Sequence, residues 1–557
     1  TKSASLGAIT EKGNGLYEVT LTTGTRSSLA VITASLDDVR LPLASVKQIA
    51  DEASASLNKG DLTLLNTGPV TANGTSQAQA SARVLDTNNN PVAGVDVTFS
   101  LSGSAKPVGG ALVVKTDSKG IALLKFTNTV AEKVKVTGKV GSGTPQSVEA
   151  TFIADRSSAS LNKGELKLVN TAPVAANGTS QAQASARVLD GKNNPVSGVD
   201  VTFTLNGSAR PEGGRLVIKT DSKGIALLKF TNTVAEKVTV TGKVGNGTPQ
   251  SVEATFIADS ASASLKQGEM KLVNTAPVAA NGRSQAQASA RVLDGKNNPV
   301  SGVDVTFTLG GSAKPEGGRQ VIKTDSKGIA LLKFTNTVTE KVKVTGKVGN
   351  GTSQSVEATF KADESTANIV GSNIKTNVTK ITADSASSVL YTVTVKDALG
   401  HPVPNMALVW SDVPDGATLT GQTKTNSEGK ATVKMHTRKG GDAVLKVSVN
   451  GKSKVSAPKI IMEQSRASYS HQMTAAKLNA ILLKSHDVLI RFTYPTKGSG
   501  TAVFTFPAAS ASNKGARIEI WSHGYGGVHV YINGLMLKQQ YEAAMYISNG
   551  VKWTRTR

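Results

Sequence analysis

Chemistry in a protein needs a few reactive side chains held together, and this 557-residue chain gathers its candidates near one end. After about Gln464 the composition changes abruptly: two of three Trp, six of eight Tyr and four of six His fall there. His486-Asp487 has the residue types of a general-base pair, but neighbours on a strand point to opposite faces, which argues against a dyad. The stretch His523-Gly524-Tyr525-Gly526-Gly527 lacks the Lys-Ser/Thr that a phosphate-binding loop requires, and reads as a loop between two strands. There is no cysteine, which removes thiolate nucleophiles, disulfides and Cys-based zinc sites together. No nucleophile, base and orienter share a local context, so the sequence predicts a protein that is not an enzyme and uses no cofactor. A hydrolase of surface glycans, confined to the last domain and working through His523 or Glu519, is the minor alternative.

Noncovalent recognition is what remains. In 517–523, Ile518 and Ile520 fall on one side of a strand, while Arg517, Glu519, Trp521 and His523 share the other. In 528–532 the aliphatic residues face one way, with His529 and Tyr531 opposite. Asn533-Gly534 is a two-residue hairpin signal that sets Tyr531 against Met536 and His529 against Lys538. A second hairpin at Asn549-Gly550 would set Tyr546 across from Trp553. The expectation is one aliphatic face and one aromatic and basic face. The candidate ligand-binding residues are Arg517, Glu519, Trp521, His523, His529, Tyr531, Lys538, Tyr546 and Trp553. Aromatics are enriched at recognition hot spots, but a small domain also needs them for its core. A helix expected at about 474–484, with Leu478, Ile481 and Leu482 on one stripe, decides between the two readings. If it covers the aromatic face, those side chains are structural; if not, the face suits sugars or acidic protein epitopes.

The elements that hold this domain are dictated by a repeat. Ser54-Ala55-Ser56-Leu57 returns as Ser158-Ala159-Ser160-Leu161 and Ser262-Ala263-Ser264-Leu265, with leucine steps of 161 − 57 = 104 and 265 − 161 = 104. A period of that length matches a complete sandwich domain rather than a solenoid turn. Within one copy, Ala182, Ala184, Ala186 and Val188 alternate with polar residues, as do Val199, Val201, Phe203 and Leu205. Strict alternation means one buried and one wet face, as in antiparallel sandwiches. Asn193-Asn194-Pro195 and Asp221-Ser222-Lys223-Gly224 supply turns, the second with type I chemistry. The fold class is all-β: tandem immunoglobulin-like sandwiches in an elongated rod, ending in a distinct, mainly β domain with one short helix. The expected divisions are 1–52 (the later half of a sandwich), repeats at 53–156, 157–260 and 261–364, a diverged copy at 365–463, and the terminal domain at 464–557. The diverged copy is marked by Thr425-Asn426-Ser427-Glu428-Gly429-Lys430-Ala431, which echoes Thr324-Asp325-Ser326-Lys327-Gly328-Ile329-Ala330.

Lys and Arg (63) exceed Asp and Glu (40) by 23, yet the bases are spread along the chain without a run or stripe. They read as a solvated surface with affinity for acidic cell surfaces, not as a nucleic-acid footprint. No apolar run approaches the roughly 18 to 20 residues needed to span a bilayer. The first residues do not resemble a signal peptide either, so any export sequence is expected to lie outside this chain. Asp155, Asp259 and Asp363 recur near the end of each repeat and are calcium candidates. One Asp per junction, without an acidic partner motif, is a weak calcium signal, and capping or a salt bridge to a neighbouring base is the favoured reading.

These motifs resemble the group 1 bacterial immunoglobulin-like domains of the intimin/invasin family of adhesins, the inverse autotransporters. The residues that carry it are Ala176-Asn177-Gly178-Thr179, Asn194-Pro195-Val196-Ser197-Gly198-Val199 and Thr220-Asp221-Ser222-Lys223-Gly224-Ile225-Ala226, each repeated in the other copies. The resemblance covers about 1–463. It implies a passenger on the bacterial outer-membrane surface, anchored upstream of this chain, whose sandwiches act as a stiff spacer. Its C-terminal domain would meet a host-cell protein or glycan receptor, or other bacteria. The best-known members carry a disulfide in their lectin-like tip, and this chain has no cysteine, so their receptor residues do not carry over. A structural or biofilm protein whose repeats associate with one another is the alternative.

Overall fold

The computed structural model describes residues 4–469, 472–492, 500–521, 528–532, 535–537 and 543–556. Two compact units divide the chain: Thr1–Ser262 with Asp294–Asn298, and Ala263–Leu293 with Pro299–Arg557.

The second repeat, in the first unit, shows how the sandwich is built. Its strands are β1 (Leu166–Leu168), β2 (Val174–Ala175), β3 (Ala182–Arg187), β4 (Asp200–Leu205), β5 (Arg210–Pro211), β6 (Val217–Lys219), β7 (Ile225–Thr231), β8 (Lys237–Val244) and β9 (Gln250–Ile257). One sheet runs β1-β3-β7-β5 and the other β2-β9-β8-β4-β6. All pairs are antiparallel except β2 with β9. The period-two pattern sorts as expected: Val201 and Phe203 are buried while Asp200, Thr202 and Thr204 are exposed. Phe230 and Phe256, from opposite sheets, meet edge to face at 5.8 Å. Burying a side chain of that size contributes about 1.5–3 kcal/mol. Between β6 and β7, Asp221 accepts the N–H groups of Lys223 and Ile225 at 2.8 and 2.9 Å. Gly224 follows at φ +73°, where a Cβ would lie 2.7 Å from the Val188 carbonyl, so only glycine closes this turn.

Neighbouring domains of this unit are fastened by a side chain. Asn194 accepts the Ala131 N–H at 2.8 Å and donates to the Thr129 carbonyl and to Asp190, both at 2.9 Å. Asn90 makes the same pair of bonds to Ser27 and Thr25, and Asn298 to Ala235 and Thr233. Residues 25–27 therefore stand to the first repeat as 129–131 stand to the second. They precede the ladder of Ser28–Ile32 with Ala44–Gln48.

In the second unit, the fourth sandwich redistributes its core. Where the second repeat pairs Ala184 with Leu228 and Phe230 with Ala182, it pairs Tyr391 with Val433 and Met435 with Val389. The aromatic bulk has moved: Tyr391 packs on Trp410 at 5.5 Å. The Tyr391 hydroxyl is buried without a hydrogen-bond partner among the described residues, and burial pushes it up to about 12. At the place of the clasp asparagine stands His401, its Nδ1 2.9 Å from Asp397. The protein is nearly all β, and among the described residues no helix is long and apolar enough to cross a membrane.

Candidate functional site

The domain beyond the fourth sandwich contains β10 (Ser465–Tyr469), β11 (Gln472–Met473), α1 (Ala475–Lys484), β12 (Asp487–Phe492), β13 (Gly500–Phe504), β14 (Arg517–Trp521), β15 (Val528–Ile532), β16 (Leu535–Leu537), β17 (Ala543–Ser548) and β18 (Trp553–Arg555). Thr474 caps the helix, its hydroxyl accepting the Lys477 N–H at 3.3 Å. One sheet runs β10-β12-β14-β17-β18 and the other β11-β13-β15-β16. β10, β12 and β14 are mutually parallel, as are β11, β13 and β15. Parallel neighbours need crossovers, so from β10 to β15 successive strands alternate between the two sheets.

That topology separates residues the sequence had grouped. Arg517, Glu519 and Trp521 lie on β14 of the first sheet, and His529 and Tyr531 on β15 of the second. The single aromatic and basic face expected from alternation is thus two surfaces. Arg517 and Glu519 are half-buried, alternating with the fully buried Ile518 and Ile520. Tyr531 is also half-buried and pairs with Val503, 37% exposed, and with Met536. The Tyr531–Met536 register follows the Asn533-Gly534 expectation; that dipeptide itself, His523 and Lys538 lie outside the described residues.

The second hairpin differs from expectation. Asn549-Gly550 does not close a two-residue loop; Ser548 pairs with Trp553 and Tyr546 with Arg555. The loop is 549–552, because Asn549 Oδ1 accepts the N–H groups of both Val551 and Lys552, at 2.9 and 2.8 Å. Tyr546 pairs with Ile518 and shares its side of the sheet. Phe506 meets Tyr546 edge to face at 4.9 Å and Trp553 at a tilt at 5.2 Å, and Trp553 Nε1 donates to the Pro507 carbonyl at 2.8 Å. Helix α1 covers this aliphatic side, burying Leu478 and Leu482 against Val488, Phe504, Ile518 and Ile520. Tyr546 and Trp553 are packed in the core with it.

The His486 imidazole Nε2 lies 3.1 Å from the Ser512 carbonyl, and the Asp487 side chain lies outside the described residues. Burial, with Arg438 and Lys439 nearby, holds the His486 pKa below its ordinary value. Arg438, at the end of a strand of the fourth sandwich, donates to the Leu482 carbonyl at the end of α1 and receives Ser485 Oγ at 3.2 Å. No local signal in the sequence marks Arg438.

The calcium candidates are occupied otherwise. Asp155 caps a short turn, accepting Ser157 N–H at 3.0 Å and Ser157 Oγ at 2.6 Å, and these bonds lower its pKa. Asp259 accepts Ser262 Oγ at 2.7 Å, and Asp363 accepts Ser365 Oγ at 2.6 Å and Asn281 Nδ2 at 3.0 Å. Among the described residues no three acidic or histidine side chains group as a metal site.

The model of the bacterial Ig-like domain (group 1) matches residues 61–153, 166–257, 270–361 and 371–461. The chain belongs to that family. The chain is 29% identical over 382 residues to the inverse autotransporter adhesin YeeJ of Escherichia coli (strain K12). That alignment takes in 65% of this chain but 15% of the relative's length. Among solved structures the chain is similar to invasin, described as a bacterial integrin-binding protein, at 18% identity and a TM-score of 0.39, covering 72% of this chain and 79% of that one. It is also similar to FdeC, an Escherichia coli adhesin, at 20% identity and a TM-score of 0.38, covering 56% and 98%. The group 1 Ig-like domains and the inverse-autotransporter relative uphold the resemblance to the intimin/invasin family read from the repeats.

Proposed function

We propose that this chain is part of a cell-surface adhesin of the bacterial outer membrane, in which the group 1 Ig-like domains are a spacer and residues 464–557 are the recognition domain. The observation that carries the reading is the break after the fourth matched Ig-like domain at 461, where a mixed-sheet domain of different composition is fastened to its neighbour. Within the first unit, the Asn90 and Asn194 clasps restrain bending at their junctions, which suits a spacer. The ligand is a host-cell protein or glycan, contacted at β14 and β15, with Arg517, Glu519, Trp521, His529 and Tyr531 as candidates. Noncovalent capture at such a surface needs no catalytic group. The test is binding of the full chain to cultured epithelial cells and to a glycan array. Trp521→Ala and Tyr531→Ala variants should lose about tenfold or more in affinity, the loss expected for an aromatic anchor, while keeping the near-ultraviolet circular dichroism of the parent. Full affinity in both folded variants would remove these surfaces from the account.

A further inference from the structure

We propose that the seam between the fourth Ig-like domain and the C-terminal domain is an acid-sensitive latch, closed while His486 is neutral and loosened when its imidazole takes a proton. The seam is built on one residue of the fourth domain. The Arg438 carbonyl accepts Ser485 Oγ at 3.2 Å and the His486 N–H. Its guanidinium donates to the Leu482 carbonyl in the last turn of α1. A helix C-terminus carries unsatisfied carbonyls and partial negative charge, so it suits a guanidinium. Among the described residues the buried Nε of Arg438 makes no hydrogen bond, and burial is what lowers the guanidinium's pKa.

His486 stands beside this cation. Its Nε2 faces the Ser512 carbonyl at 3.1 Å, which assigns the hydrogen of the neutral ring to Nε2 and leaves Nδ1 to receive any further proton. Among the described residues the charged groups that act on the ring are Arg438 and Lys439 of the fourth domain, and Lys439 is itself near Asp415 at 3.9 Å. From its own domain the ring meets the Ser512 carbonyl, while the His486 carbonyl accepts the Arg517 N–H. A proton on His486 therefore places a third positive charge in a half-buried seam.

The sign follows from linkage. The His486 pKa is depressed relative to a free imidazole, by burial first and then by Arg438, with the Ser512 carbonyl opposing and Lys439 adding to the shift; the two cations belong to the fourth domain, so docking brings them to the ring. The docked state keeps its full advantage above about pH 6.5, the ordinary histidine value, and loses it as pH falls below that value towards the docked pKa. The asparagine clasps of the first unit do not titrate in that range. Acid thus frees the C-terminal domain to reorient, with neither domain unfolding.

The full chain has no cysteine, so a dye pair can be placed uniquely at Thr420→Cys on the fourth domain and Lys477→Cys on α1. Energy transfer between the dyes should be high at pH 7.5 and fall on titration to pH 5.5, with a midpoint below about 6.5. The near-ultraviolet circular dichroism should not change. His486→Gln keeps an amide donor but does not titrate, and should hold its transfer constant across the range. Lys439→Gln removes one repelling charge and should move the midpoint to lower pH. Constant transfer in the parent, an equal acid response in H486Q, an unmoved midpoint in K439Q, or a fall that coincides with loss of the near-ultraviolet signal would each overturn the latch.

Discussion

At the residue scale, two side chains show opposite ways of handling a buried polar group. Asn194 is 6% exposed and spends its amide on the Ala131 N–H, the Thr129 carbonyl and Asp190. Replacing it with alanine strands a main-chain donor and acceptor at the junction of the first two repeats. The expected cost is about 1–3 kcal/mol, the usual penalty for an unsatisfied buried group. Calorimetry of the full chain should show a lower or split transition in Asn194→Ala. Tyr391 is the reverse case, a fully buried hydroxyl without a partner among the described residues. Tyr391→Phe keeps the packing on Trp410 and removes the stranded hydroxyl, so it should leave stability unchanged or raise it by about 1–2 kcal/mol. A drop of that size on thermal unfolding would mean the hydroxyl has a bonded role. The fourth domain thus carries an unsatisfied buried hydroxyl where the repeats place alanine.

At the element scale, local chemistry was legible and non-local pairing was not. Alternation in 198–205 and the Asp221–Gly224 turn were readable because their causes lie within a few residues: side-chain period, an Asp acceptor and a left-handed glycine. The Tyr531–Met536 register was readable for the same reason. The 549–552 loop escaped because Asn549 caps two N–H groups instead of entering a tight turn. The parallel order β10-β12-β14 escaped because nothing within a strand records which distant strand it pairs with. That omission merged two surfaces into one and misplaced Tyr546 and Trp553, which pack beneath α1. The junction loops add a pH prediction. Burial alone would raise the Asp190 pKa, but hydrogen bonds from the Asn194 amide and the N–H groups of Asp155, Asn194 and Lys192 bring it below the ordinary value. A depressed carboxylate stabilises the fold above its unfolded pKa of about 3.9, and the contribution is lost as pH falls below it. Acid unfolding followed by circular dichroism should therefore be flatter below about pH 4 in Asp190→Asn than in the parent. Identical acid limbs would exclude Asp190 from this role.

At the scale of the whole molecule, four group 1 Ig-like domains lead to a domain of another kind, and the function proposed depends on that division of labour. Net charge of +23 suits capture on anionic cell surfaces and should make the encounter rate fall with salt. Surface plasmon resonance on immobilised cell-surface material should show association slowing several-fold between 50 and 300 mM NaCl, with dissociation changing less. A salt-insensitive on-rate would remove electrostatic steering from the account. The most direct measurement of the central claim compares saturable binding of the full chain with that of residues 1–463 on the same epithelial cells and glycan array. The account predicts binding by the full chain and its loss, by tenfold or more, when 464–557 is absent. Equal binding by the two would contradict it and place recognition in the Ig-like repeats.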